Sequence, residues 1–213
     1  MRNIQQSMII ASKKNLIDNI KKYFGITDNN TSEWAVVNTN SLAAISLIII
    51  IRSKYLPILS DIKTNTFMQG LNGLLPNKGG VATSFKLGLR HLLFINCHLS
   101  SDEPYRDIRM QQWEELREVF VDEIEGWSCL KSGAVIDGDD SKWDGVIWMG
   151  DFNSRIQTSK FLMPKNNKAK ANKMIKDDLF AELGQHDQFL QDRQMSPLFT
   201  GFKEGDFWHF APT

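Results

Sequence analysis

The run LAAISLIIII, Leu42 to Ile51, constrains this chain more than any other stretch. Nine of its ten residues are apolar, so it must leave water, yet it has about half of the roughly 20 residues that a membrane-spanning helix needs. Its β-branched content and the Arg52 that follows predict a strand over residues 43–52, buried in a sheet. A chain of 213 residues is long enough to give such a strand a sizeable core, most simply as one domain.

Further strands are predicted at 34–38, 80–87, 91–98 and Gly145–Met149. Ile9, Ile10, Leu16, Ile17, Ile20 and Phe24 recur at helical spacing through residues 8–24, ahead of a polar loop at 25–33. Pro104 suits the first turn of a helix whose apolar face would carry Tyr105, Ile108, Trp113, Leu116, Phe120 and Ile124. A shorter helix is predicted at Asp177–Leu183, after a Lys-rich polar stretch at 165–176. Strands alternate with helices, but several consecutive strands also pair with no helix between them. That mixture predicts a layered α/β (α+β) fold rather than a purely parallel doubly wound sheet.

Charge and cysteine content narrow the function classes. Lys plus Arg equals Asp plus Glu, 25 each, so no overall field favours nucleic acid or an anionic membrane. Cys97 and Cys129 are too few for a disulfide framework, which favours a reducing compartment and leaves the sequons at Asn29 and Asn30 idle. The N-terminus lacks the order of a signal peptide, and the chain is expected in the cytoplasm. The acidic loop DGDDSK, 137–142, lacks the spacing of a calcium loop and is expected to be solvated.

Two strands end alike. LLFINCHLSS runs apolar and then delivers Asn96 and His98; VIWMGDFNSR runs apolar and then delivers Asp151, Asn153 and Arg155. A sheet fixes the polar groups at its strand ends, which is a common way to build an active site. There a carboxylate can take a proton from water, an amide can stabilise an oxyanion, and an imidazole can donate to a phosphoryl oxygen. The same residues also suit a plain structural role: a hydrogen-bonded histidine, and an Asp and Asn shaping a turn. PNKGGVA, Pro76 to Ala82, offers Asn77 and Lys78 beside two glycines, either to hold a phosphate or as an ordinary hairpin turn; it lacks the spacing of a P-loop. His209, in the terminal aromatic run, is expected to be structural.

Taken in order, NKGGVATSF, FINCHLSS, RDIRMQQWEEL, VIWMGDFNSRI and FTGFKEGDFWHFAPT resemble successive landmarks of the inositol polyphosphate 5-phosphatases, within the endonuclease/exonuclease/phosphatase superfamily. The likeness is clearest over residues 34–213, and the GDFN and GFKEG wording leans towards the synaptojanin-like branch. It implies a two-layer β-sandwich flanked by helices, and Mg²⁺-dependent removal of the 5-phosphate from a phosphoinositide lipid or soluble inositol phosphate. The implied setting is peripheral at membranes, with no nucleic acid partner. Asp151 would match the family's water-activating aspartate, Asn153 the asparagine that steadies the phosphorus, and His98 the histidine that donates to the scissile phosphate. Asn77 and Lys78 would match the pair on the 1-phosphate side, and Arg155 a supporting arginine. The family's metal-binding glutamate is expected upstream of Met1, and its later Asp–His pair beyond Thr213. The expectation is therefore a catalytic domain truncated at both ends, with little or no activity alone. Two other readings remain: a nuclease or sphingomyelinase of the same superfamily, and a non-catalytic phosphoinositide-binding module.

Overall fold

The computed structural model describes residues 14–27, 32–70, 75–122, 143–157 and 167–203. The chain divides into two compact units, Met1–Leu99 with Glu115–Asp151, and Ser100–Glu114 with Phe152–Thr213.

The first unit is built on two sheets. Strands β1 (Trp34–Leu42) and β2 (Ile45–Arg52) pair antiparallel; β3 (Leu59–Gly70), β4 (Leu75–Leu87), β5 (Arg90–His98) and β6 (Gly145–Asp151) form the second sheet in that order. In the larger sheet β3, β4 and β5 run antiparallel, whereas β6 lies parallel to β5. Ile45, Leu47 and Ile49 alternate inward from β2 and meet Val81 and Phe85 of β4, with Val37, Leu59, Leu92 and Phe94 packed around them. Burying each such side chain stabilises the fold by about 1.5–3 kcal/mol. Side-chain amides stitch the two sheets: Asn40 Nδ2 donates to the carbonyls of Asn65 and Ala82 (2.8 and 2.9 Å), and Asn96 Nδ2 to that of Ser46 (2.8 Å). The expected two-layer sandwich is thus present.

Strand β4 is buried from Gly79 to Phe85, on both faces. One face meets β2. On the other, Leu116 and Phe120 lie so close that a Cβ on Gly80 would come within 2.9 Å of each. They belong to the end of helix α2 (Arg106–Arg117) and the wide turn that extends it, Glu118–Asp122. Residues 14–23 form helix α1.

The second unit contains the start of α2 and helices α3 (Asn167–Lys176), α4 (Phe180–Gly184) and α5 (Gln188–Met195). Its core is aromatic: Trp113 packs on Phe152, Phe189 and Phe199, with ring centroids 4.6, 5.9 and 5.1 Å away. Asp187 caps α5, its carboxylate accepting from the Phe189 and Leu190 amides.

Several sequence expectations are corrected. The apolar run is not one strand: Leu42 ends β1, a turn with Ala43 at φ +45° follows, and β2 begins at Ile45. The first strand extends to Leu42 rather than ending at 38, and β4 begins at Leu75 rather than 80. Asn77 and Lys78 therefore lie within β4 rather than in a hairpin turn, at an irregularity of the ladder between the Gly70–Leu75 and Met68–Gly79 pairs. Strand β3 was not expected at all. Of the residues expected along one face of the helix after Pro104, Trp113, Leu116 and Phe120 are buried whereas Tyr105 and Ile108 are exposed. The Lys-rich stretch is largely helix α3, and the helix expected at Asp177–Leu183 is α4, beginning only at Phe180. Ile9, Ile10, Asn29, Asn30, Ile124, Cys129, residues 137–142 and His209 lie outside the described residues.

Candidate active site

Met68, Gly79, His98 and Asp151 are successive partners across β3, β4, β5 and β6. This row places His98 beside Asp151 at the matching ends of two parallel strands, and the Leu99 amide continues the ladder by donating to the Asp151 carbonyl (3.0 Å). Two glycines let the row form. Gly79 and Gly150 both have φ +134°, a conformation that L side chains rarely adopt. A Cβ on Gly79 would strike the Phe67 carbonyl; one on Gly150 would strike the Cys97 carbonyl and lie 2.8 Å from Asn96 Oδ1.

Lys78, one residue before Gly79, sends its ammonium to His98 Nε2 (2.8 Å) and to the Leu99 carbonyl (2.7 Å). An ammonium can only donate, so Nε2 accepts and the ring proton sits on Nδ1. Burial, then the Lys78 charge, holds the His98 pKa below its ordinary value, against the opposing pull of Asp151. The imidazole is accordingly neutral at neutral pH. Its 3.6 Å approach to Asp151 Oδ2 is a polar contact rather than an ion pair or a hydrogen bond. The Asp151 carboxylate is 64% exposed, open to water and to ligands.

Asn77 is exposed, its Oδ1 packed against Gly70 where a Cβ would not fit. Asn153 and Arg155 belong to the second unit. There Asn153 adopts φ +52° and accepts at Oδ1 from Arg155 Nη2 (2.9 Å). Asn96, which the sequence pattern offered to the site, is instead the tie to Ser46. Cys97 is no nucleophile: burial pushes its thiol up to about 12 although Trp148 Nε1 donates to Sγ (3.4 Å). The sequence reading missed Gly150 and the Leu99 carbonyl, whose parts follow from β5–β6 register, a quantity that composition does not encode.

As a donor set, the trio offers one carboxylate, one neutral imidazole and one ammonium. Among the described residues no group of three or more His, Cys, Asp or Glu side chains could hold a metal. With an ammonium beside its single carboxylate, this set does not fit a resident divalent ion. It fits an anion with ionisable oxygens: a cation to meet the charge, an imidazole to exchange a proton, and a carboxylate to orient water.

The family model for endonuclease/exonuclease/phosphatase family 2 matches residues 2–213. The type II inositol 1,4,5-trisphosphate 5-phosphatase of Mus musculus is 26% identical over 184 residues, 85% of this chain and 17% of that protein. Synaptojanin-1 of Rattus norvegicus is 27% identical over 187 residues, 88% of this chain and 10% of that protein. The chain thus spans less than a fifth of the length of these relatives. Among solved structures, the inositol polyphosphate 5-phosphatase domain of SPsynaptojanin, in complex with inositol (1,4)-bisphosphate and a calcium ion, matches at TM-score 0.65 and 19% identity, over 95% of this chain and 59% of that one. A Cimex nitrophorin in a ferrous NO complex matches at TM-score 0.58 and 16% identity, over 95% of this chain and 61% of that one. The fold is therefore shared by proteins of different kinds, so it does not by itself assign a function. On the extent of the family match, this chain belongs to endonuclease/exonuclease/phosphatase family 2.

Proposed function

We propose that residues 1–213 are part of the catalytic domain of an inositol polyphosphate 5-phosphatase, a phosphoric monoester hydrolase. It acts in the cytoplasm on soluble inositol phosphates or on phosphoinositides at the membrane surface. The observation that carries this reading is the Lys78–His98–Asp151 cluster at adjoining strand ends, in a chain whose relatives include named 5-phosphatases.

Phosphoryl transfer asks a protein mainly for positioning and charge stabilisation. Asp151, exposed and fixed by the end of β6, orients water and accepts its proton. Lys78 meets the phosphate charge. A phosphate dianion beside His98 favours the imidazolium, because an opposite charge stabilises the charged form. On substrate arrival Nε2 takes a proton from solvent and turns from acceptor to donor, and Lys78 turns its hydrogen bond from the ring to the phosphate. Asn153, two residues beyond Asp151, serves as a neutral amide donor; Asn77 and Arg155 contribute to substrate binding. A Mg²⁺ requirement belongs to this proposal only for the complete protein: the trio alone does not hold the ion, which would be bound with the help of other residues of that protein and would supply charge stabilisation to the phosphoryl group.

The test is phosphate release by the full gene product carrying this chain, with and without Mg²⁺. Substrates are vesicles of 4,5-bisphosphorylated inositol lipid, soluble inositol trisphosphate, DNA and sphingomyelin. Mg²⁺-dependent release from the inositol substrates, reduced about 10²–10⁴-fold by Asp151→Ala, is expected. Cleavage of DNA or sphingomyelin instead, or lipid binding without turnover, would overturn the proposal.

A further inference from the structure

The segment that carries Asn153 and Arg155 is held by residues outside the proposed chemistry. Gln188, the first residue of α5, is 2% exposed, and Arg109 of α2 is 4% exposed. Gln188 Oε1 accepts from Arg109 Nη2 (2.5 Å) and from the Arg155 backbone N–H (3.3 Å), while the Gln188 backbone N–H donates to the Arg155 carbonyl (3.0 Å). Arg109 Nη1 is itself fixed by the carbonyls of Ser100 and Asp102 (3.1 and 2.6 Å). The next residues extend the connection: Ile156 bridges Asp187, and the Gln157 amide donates to the His186 carbonyl (2.7 Å). On the other side of Asn153, Phe152 is clamped between Trp113 and Phe189, with ring centroids 4.6 and 5.3 Å away. Asn153 at φ +52° therefore sits in a short span anchored at both ends.

We infer that Gln188, itself oriented by Arg109, is a positioning residue that fixes the backbone at Arg155 and so sets where the Asn153 amide and Arg155 guanidinium are presented. A buried side chain that accepts from both a buried guanidinium and a loop amide transmits the rigidity of two helices to that loop, which suits a group that must be placed accurately. The catalytic consequence rests on the 5-phosphatase reading; the structural one does not.

The experiment uses the full gene product with Gln188→Met, which keeps length but removes the acceptor, and Gln188→Glu, which keeps it. Gln188→Asn, too short to reach, replaces Gln188→Met if that variant does not fold. Arg106→Met breaks a different α2–α5 contact, Arg106–Asp192 (2.5 Å), and serves as the destabilised control. On soluble inositol trisphosphate, Gln188→Met should lower kcat about 10- to 100-fold with KM nearly unchanged. Gln188→Glu should restore kcat, and Arg106→Met should keep it at similar loss of Tm. Hydrogen exchange should accelerate at the Arg155 amide in Gln188→Met but not in Arg106→Met. Unchanged exchange at Arg155, or equal kcat in Gln188→Met and Arg106→Met, overturns the inference. An inactive wild-type protein overturns the 5-phosphatase reading instead, and exchange at Arg155 still decides the positioning role.

Discussion

Replacing Gly150 with alanine tests the geometry of the His98–Asp151 row most directly. Two costs add. An alanine held at φ +134° carries backbone strain of about 1–3 kcal/mol. Its Cβ would also strike the Cys97 carbonyl and lie 2.7 Å from the Cys97 nitrogen, backbone that cannot swing aside as a side chain can. Overpacking of this kind costs about 1–3 kcal/mol. The expected sum, about 4 kcal/mol, is a large share of the 5–15 kcal/mol that holds a typical domain together. Urea titration should show it as a midpoint lower by about 2 M, at slopes near 2 kcal/mol per M. Gly25→Ala separates the two costs: Gly25 has φ +62° with nothing within 4 Å of its Cβ position. That variant should lose only about 1–2 kcal/mol. Hydrogen exchange at the Leu99 amide, whose acceptor is the Asp151 carbonyl, should accelerate in Gly150→Ala alone. A Gly150→Ala protein no less stable than Gly25→Ala would refute the close approach of β6 to β5.

Two further outcomes follow from the same unit. Lys78→Met removes one of the two causes that depress the His98 pKa, so the imidazole should titrate at higher pH in the variant, as read by NMR. A depressed histidine pKa means that the unfolded chain binds its proton first as pH falls below about 6.5. Wild-type stability should therefore drop on acidification through the folded-state pKa, and drop less in Lys78→Met; an unchanged imidazole titration would sink the Lys78–His98 contact. Asn96→Leu leaves the Ser46 carbonyl without its amide donor and should cost about 1–3 kcal/mol in a denaturant titration, whereas a neutral result would mean that Asn96 does not tie the sheets.

The sequence marked two members of the candidate site, His98 and Asp151, more clearly than the sheet around them. Apolar runs that end in His98 and in Asp151 mark strand termini, and the structure brings those two ends together. Their register was not legible. A slip of one residue would set His98 beside Gly150 and turn the β6 side chains to the other face, and the close packing at Gly150 adds to what excludes it. Strand β3 was hidden because LSDIKTNTFMQG is mostly exposed along an edge, with Asp61 and Lys63 where an apolar alternation would show. The start of β4 was hidden because Asn77, Lys78 and two glycines carry the composition of a turn, and the ladder is irregular there between the Gly70–Leu75 and Met68–Gly79 pairs. Helix α3, by contrast, had a signal that was passed over: Ala and Lys are good helix formers even where no apolar stripe marks a face. Arg109 and Gln188 had no signal at all, since a buried guanidinium and amide in polar sequence look like surface until their partners are known.

The parallel pairing of β5 with β6 has a kinetic consequence. β4 and β5 meet through a turn of only two residues, so Lys78 and His98 find each other early and locally. Asp151 reaches His98 only by closing a loop of roughly 50 residues, which costs about 3 kcal/mol more chain entropy than the hairpin. One contact of this cluster therefore depends on local pairing and the other on a long-range closure. Conditions that loosen this protein should therefore part the Asp151 carboxylate from the His98 imidazole before they part the imidazole from the Lys78 ammonium, and hydrogen exchange at the Leu99 amide should accelerate ahead of global unfolding.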